Sequence, residues 1–373
     1  MTETPEPRDH LLEGIMALVP PLLEALETLG FVARYMHPPH LDELLERVAD
    51  GDAAVIAGRE IFAATDWPDD LKNFAAQVEK VADEVCSSFE GLRAAQSDPN
   101  GVFATYRGLR HISRAAEALY PISAMLPPVS PYFLEPDVRG DKALAERLAA
   151  ADMARPDAGV HHMGNEKQMR GGFSLYVPET YDATRATPLI IAMHGGSGHG
   201  RDFLWSWVAS ARTRGAILIA PTSTGPTWDF TAPERDNSNI LRMIDYVGEQ
   251  WNIDRSRMLL TGMSDGGTFS YVLGMEAQAP FTHLAPIAAS FHPMLAEFAD
   301  ADRVKGLPLY ITHGKLDWMF NVDMARNARN AMSAAGADVV YREISDLSHT
   351  YPREENPRIM DWFLNGIKPD AGQ

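Results

Sequence analysis

Met258-Leu259-Leu260-Thr261-Gly262-Met263-Ser264-Asp265-Gly266-Gly267-Thr268 is the stretch whose reading decides the fold of the second half of the chain. A short apolar run, Met258 to Thr261, has the look of a buried strand, and Thr268 to Met275 continues as a helical pattern. Between them stands Gly-x-Ser-x-Gly. That pentapeptide alone arises often by chance, but strand, tight turn and helix are the context that gives it meaning. A sharp, strained turn pushes a serine hydroxyl out above a sheet, and its neighbours must then lack bulky side chains. A serine hydroxyl is a poor nucleophile unless a base takes its proton and an acid orients that base.

Both partners follow in the chain. Asp317 comes just after the apolar run Leu307 to His313, and His349 just after Val339 to Ile344. Serine, acid and histidine in that order suit a sheet of this topology. Asp323 is the rival acid, but it falls where a helix should begin and acidic residues serve the helix dipole. His283, His292 and His313 are rival bases. His313 directly ends a strand and should pack or hydrogen-bond beneath the site, whereas His292 follows the strand after the turn and should line a pocket. Upstream, Pro188 to Met193 runs into His194-Gly195-Gly196-Ser197-Gly198, a loop able to turn backbone N–H groups toward a carbonyl oxygen. Together with the N–H of Asp265, the residue after the serine, that loop would form an oxyanion hole, with His194 in a structural role.

The remaining apolar runs are Phe173 to Val177, Ala216 to Ala220 and Leu284 to Ser290. They alternate with helical patterns at Asn237 to Trp251, Asn321 to Ala334 and Asn356 to Leu364. Runs apolar throughout, separated by helices, predict an α/β fold with a mostly parallel sheet.

From about Gly171 to Gly366 the sequence resembles the α/β-hydrolase superfamily. It is most similar to the esterase branch that holds polyhydroxybutyrate-depolymerase-like, feruloyl-esterase-like and phospholipase/carboxylesterase-like enzymes. The resemblance rests on Tyr176-Val177-Pro178, the His194 to Gly198 loop, Asn252-Ile253-Asp254, Gly262 to Gly266, His313 to Asp317 and Ser348-His349. It implies Ser264 as nucleophile, Asp317 as acid and His349 as base, with the backbones of Gly195, Gly196 and Asp265 as oxyanion donors. The expected reaction is hydrolysis of carboxylic esters without a cofactor, and with no long apolar insertion within residues 171–366 the expected acyl or aryl groups are short to medium. A peptidase or thioesterase using the same three residues is the alternative within enzymes. A catalytically inactive binding protein on the same fold is the alternative outside them.

Trp205, Trp207, Trp228, Trp318, Met319 and Phe320 fall near the strand ends and together suggest an apolar pocket, with Trp228, His292 and Trp318 as substrate-lining candidates. His37-Pro38-Pro39-His40 and His161-His162 lack carboxylates at ligand spacing, so no metal is expected. Cys86 is the only cysteine, which rules out an intrachain disulfide. Lys and Arg number 33 against 51 Asp and Glu, a net charge of -18. That balance argues against a nucleic-acid partner, whose binding draws on clustered cations.

Residues 1–160 carry none of these motifs and read as a separate all-helical domain, with residues 161–373 as the hydrolase domain. Leu71, Phe74, Val78, Val81, Val85, Phe89 and Leu92 recur at helical spacing, as do Val102 to Leu119, Leu11 to Val32 and Leu41 to Val48. The stripe fits the inner face of a bundle or a homodimer seam, and Pro20-Pro21 should kink or break the first helix. The Pro-rich apolar stretch Met125 to Leu134 suits a docking loop, and the whole region a cap over the substrate entrance. No uncharged apolar run approaches the ~18 residues of a membrane span. Met1 to His10 is acidic with no basic leader, so the expected location is the cytoplasm, with a mature secreted chain also compatible.

Overall fold

The computed structural model describes residues 7–152 and 154–369, so most of the acidic Met1 to His10 segment lies outside the described residues. The chain falls into two compact units, the first ending at Phe133 and the second beginning at Leu134. The helices of the first are α1 (Pro7–Tyr35), α2 (Leu41–Arg47), α3 (Ala53–Ala64), α4 (Lys72–Ala95) and α5 (Gly101–Leu119). Phe74, Val78, Val81, Val85, Phe89 and Leu92 of α4 are buried within the chain, which makes the stripe the inner face of a bundle.

The expected break at Pro20-Pro21 does not occur, and α1 runs unbroken through both prolines. Pro21 has no N–H for the carbonyl of Ala17, one turn earlier. At that carbonyl α3 crosses so closely that a Cβ on Gly58 would lie 2.0 Å from the Ala17 oxygen. The bare backbone of Gly58 thus covers the oxygen that proline leaves free. Leu18, Leu22, Leu26 and Leu29 form a buried stripe that packs the helix on both sides of the gap. By length and composition α1 is also apolar enough to cross a membrane, which a search for uncharged runs misses because Glu24 and Glu27 interrupt it. A core helix meets the same test.

The second unit begins earlier than the composition change near residue 160. Leu134, Leu144 and Leu148 form a small core around α6 (Lys142–Ala149), and Glu135 pairs with Arg214 at 2.8 Å. Residues 134–158 therefore belong to the second unit, although their helical pattern groups them with the bundle.

The sheet has eight strands among the described residues: β1 (Gly159–Met163), β2 (Phe173–Val177), β3 (Thr187–Met193), β4 (Ile217–Pro221), β5 (Ile253–Met263), β6 (His283–Ile287), β7 (Pro308–Gly314) and β8 (Asp338–Ile344). Their order is β1-β2-β4-β3-β5-β6-β7-β8. β1 and β2 pair antiparallel, as do β2 and β4, and every pair from β4 to β8 is parallel. Each residue of β3 and β4 is buried, the signature of strands covered on both faces. The covering helices are α7 (Gly200–Phe203), α8 (Val208–Arg214), α9 (Glu234–Gln250), α10 (Asp265–Gly274), α11 (Met294–Phe298), α12 (Ala301–Val304), α13 (Val322–Ala334) and α14 (Asn356–Asn365). This is the α/β-hydrolase architecture. The run Leu284 to Ser290 is shorter as a strand than its composition suggests, because Ala288 turns to φ +47° and bends the chain off the sheet. Parallel pairing brings the carboxyl ends of β3, β5, β6, β7 and β8 to one edge of the sheet, where ligands collect in open α/β folds.

Candidate active site

Ser264 stands between β5 and α10 at φ 56°, ψ -120°, a backbone conformation that side-chain-bearing residues rarely adopt. Its N–H donates to the carbonyl of Ile287 on β6 at 2.9 Å, which anchors the turn to the sheet. The two glycines of the pentapeptide have a steric cause. A Cβ on Gly262 would lie 2.5 Å from the Gly266 backbone, and one on Gly266 would lie 2.3 Å from the Met193 carbonyl of β3. Turn, helix and neighbouring strand approach closely enough to exclude any side chain there.

His349, in the loop after β8, lies between Ser264 and Asp317. Its Nδ1–H donates to Asp317 Oδ2 at 2.8 Å, which leaves Nε2 bare to accept the Ser264 hydroxyl at 3.0 Å. All three side chains are buried. Asp317 Oδ1 in turn accepts the backbone N–H groups of Met319 and Phe320 at 2.9 and 2.7 Å. The acid loop and the histidine loop are laced together by Lys315 N–H to Ile344 O at 2.9 Å and Leu316 N–H to Leu347 O at 3.0 Å. Asp323 is elsewhere, exposed and paired with Arg326 at 2.8 Å.

The loop after β3 crosses above Ser264, where a Cβ on Gly195 would lie 3.3 Å from that of Ser264. The Gly195 carbonyl accepts His194 Nδ1–H at 2.7 Å and Gly198 N–H at 3.0 Å. Because a trans peptide points its C=O and N–H in opposite directions, pinning that carbonyl turns the Gly196 N–H the other way. Ser223 N–H donates to His194 Nε2 at 3.1 Å, so the ring is neutral with its proton on Nδ1, and full burial holds its pKa down at about 3. Asp265 opens α10, where backbone N–H groups lack helical partners, and its carboxylate accepts Thr227 Oγ1–H at 2.6 Å.

One of the pocket candidates is placed otherwise than expected. Trp228 is 1% exposed, its ring 4.9 Å from that of His194 and stacked on Phe269, and its indole N–H donates to His194 O at 2.8 Å. It supports the glycine loop from below and offers no face to a ligand. His292 is exposed, and its Nδ1 accepts the Met294 N–H at 3.2 Å. Trp318, next to Asp317, is 39% exposed, with Leu316 and Met319 comparably open. Trp205 and Trp207 are buried. His162 lies on β1, where its Nδ1 hydrogen-bonds Ser174 Oγ at 2.8 Å, and His37 and His40 face each other 5.9 Å apart.

No sequence motif marks Arg170. Its half-buried guanidinium donates to Gly198 O at 2.7 Å and to Gly225 O at 2.8 Å, tying the glycine loop to the loop after β4. Only a basic residue ahead of the Gly171-Gly172 pair hints at it.

Residues 162–365, more than half of the chain, match the model of the dienelactone hydrolase family. The chain belongs to the dienelactone hydrolase family. Among curated relatives, acetylxylan esterase A of Emericella nidulans is 31% identical over 142 residues, covering 35% of this chain and 45% of its own. A protein named probable feruloyl esterase C, from Aspergillus flavus, is 30% identical over 130 residues, 33% of this chain and 46% of its own. The chain thus spans less than half the length of these relatives. A solved thermostable esterase aligns over 56% of this chain and 62% of its own with 20% identity and a TM-score of 0.45. The family match begins within β1 and ends at the last residue of α14, so this dienelactone hydrolase family member carries its helical unit outside the family region.

Proposed function

We propose that this dienelactone hydrolase family member is a carboxylic ester hydrolase that works through an acyl-enzyme on Ser264. The observation that carries the reading is the unbroken relay from Ser264 Oγ through His349 to Asp317, at 3.0 and 2.8 Å. His349 Nε2 takes the hydroxyl proton as Oγ attacks the ester carbonyl. The resulting oxyanion is held by the backbone N–H groups of Gly195, Gly196 and Asp265. Collapse expels the alcohol, which receives its proton from His349, and leaves the acyl group on Ser264. Water then attacks the acyl carbon and gives its proton to His349, which passes it to Ser264 Oγ as the acid is released. Asp317 keeps the imidazole in the required tautomer and balances its positive charge.

The relatives' names, acetylxylan esterase and feruloyl esterase, support a small acyl or an aryl acid as the group transferred. The exposed side chains of Trp318 and Met319 beside Asp317 suit the same class, since they give an apolar group a surface to rest on. A fluorophosphonate probe should label wild-type protein and not Ser264→Ala, and p-nitrophenyl acetate should be turned over by the wild type alone. Labelling that survives the substitution would overturn the reading. Faster cleavage of a peptide anilide than of the matched ester would assign the same residues to peptidase chemistry instead.

A further inference from the structure

We infer that His313 is a positioning residue for Asp317, a second imidazole that fixes where the acid presents its carboxylate to His349. The inference rests on the role proposed above for Asp317. His313 stands one residue before the end of β7 and is fully buried. Its Nε2 faces two acceptors, the Phe320 carbonyl at 2.8 Å and Asp317 Oδ2 at 3.4 Å. With acceptors only on that side, the ring proton must sit on Nε2. The other nitrogen, Nδ1, is buried and has no hydrogen-bond partner among the described residues. A buried ring nitrogen left without a partner is costly to keep, so the ring is retained here for what its Nε2 side does.

That side closes a circuit. Nε2–H holds the Phe320 carbonyl, the Phe320 N–H holds Asp317 Oδ1, and the Phe320 ring meets the His349 imidazole edge-on at 5.2 Å. Asp317 Oδ2 consequently lies between two imidazoles, His349 at 2.8 Å and His313 at 3.4 Å. The nearer one completes the relay to Ser264. The farther one, kept neutral because burial depresses its pKa, fixes the turn from which the carboxylate projects. Neither a leucine nor a phenylalanine at position 313 can supply this donor. A glutamine can, because its amide nitrogen reaches the place of Nε2.

The experiment compares His313→Leu and His313→Gln with wild type, using p-nitrophenyl acetate turnover, thermal melting and proton NMR of the low-field region. His313→Leu should lower kcat roughly 10–100-fold with KM little changed, the range expected when a catalytic group is displaced by about an ångström. The low-field resonance of the proton shared by His349 and Asp317 should weaken or vanish. His313→Gln should restore most of kcat and of that resonance. A merely structural histidine would lower the melting temperature in both variants without this split. The inference is overturned if folded His313→Leu keeps wild-type kcat and resonance, or if the Gln variant recovers neither. If instead Ser264→Ala remains active, it is the esterase reading that fails.

Discussion

Ser264 and Asp317 both sit at carboxyl ends of parallel strands, yet different forces hold them. Ser264 is fixed by backbone geometry, through a φ of 56° and a turn packed so tightly that positions 262 and 266 admit no Cβ. Asp317 is fixed by hydrogen bonds, chiefly from the N–H groups of Met319 and Phe320, which almost any residue type supplies. The first arrangement restricts residue identity and writes a motif into the sequence. The second leaves a lighter trace, the aspartate itself and the His313 imidazole that steadies its turn. The two loops should therefore answer mutation very differently.

The largest effect should come from the reacting group itself. Ser264→Ala should reduce kcat on the order of 10⁴-fold or more, leaving the contribution of binding and backbone donors. Asp317→Asn should approach that loss, while Asp323→Asn should leave steady-state rates on an aryl ester unchanged. Activity lost on changing Asp323 instead would show that the wrong acid is named.

Next comes the steric contrast. Gly266→Ala drives a methyl group against the Met193 carbonyl, a backbone atom that cannot step aside. It should destabilise the protein by about 3–5 kcal/mol, the range of severe core overpacking and strain, visible as a lowered urea midpoint. A near-native midpoint would mean that the turn is looser than its geometry.

A smaller effect concerns the glycine loop. Folded His194 has its pKa pressed down to about 3, whereas an unfolded imidazole titrates near ~6.5. Below the unfolded value the unfolded chain binds a proton that the native protein refuses, so stability falls as the pH drops. The contribution is complete well above about pH 6.5 and is reduced by about 2 kcal/mol at about pH 5. Nitrogen–proton correlation spectra should show His194 neutral, with its proton on Nδ1, at pH 5. A charged ring there would contradict the hydrogen bond from Ser223.

The smallest effect sharpens the comparison from the other side. Met319 contributes its backbone N–H to Asp317 and its side chain is 38% exposed. Met319→Ala should leave the kcat for p-nitrophenyl acetate intact, raise KM modestly for esters with a bulkier apolar group, and shift stability by no more than about 0.5 kcal/mol.

The same distinction explains what the sequence discloses. Strands such as β3 and β4 were legible because burial on both faces demands apolar residues at every position. β1 was not, since all five of its residues are only partly buried and two are histidines. The serine turn was readable from its glycines, and Asp317 and His349 from their places after β7 and β8. Trp228 misled because a position near a strand end does not reveal which way the side chain faces. Arg170 escaped notice because its work is done on carbonyls contributed by Gly198 and Gly225, atoms that every residue possesses. In the first unit the α4 stripe was plain, but α3 was not recognised from its sequence.

The crossing of α1 and α3 also has a consequence for alignment. A helix turns about 100° per residue. If α3 slid by one position along α1, Ala57 or Arg59 would replace Gly58 against the Ala17 carbonyl, and either side chain would strike it. Where helices meet through flexible side chains, repacking can absorb a small shift. This pair cannot, because the contact is between main chains. One proline and one glycine, 37 residues apart, thus act as a key and its slot, and only one register of the two helices can close.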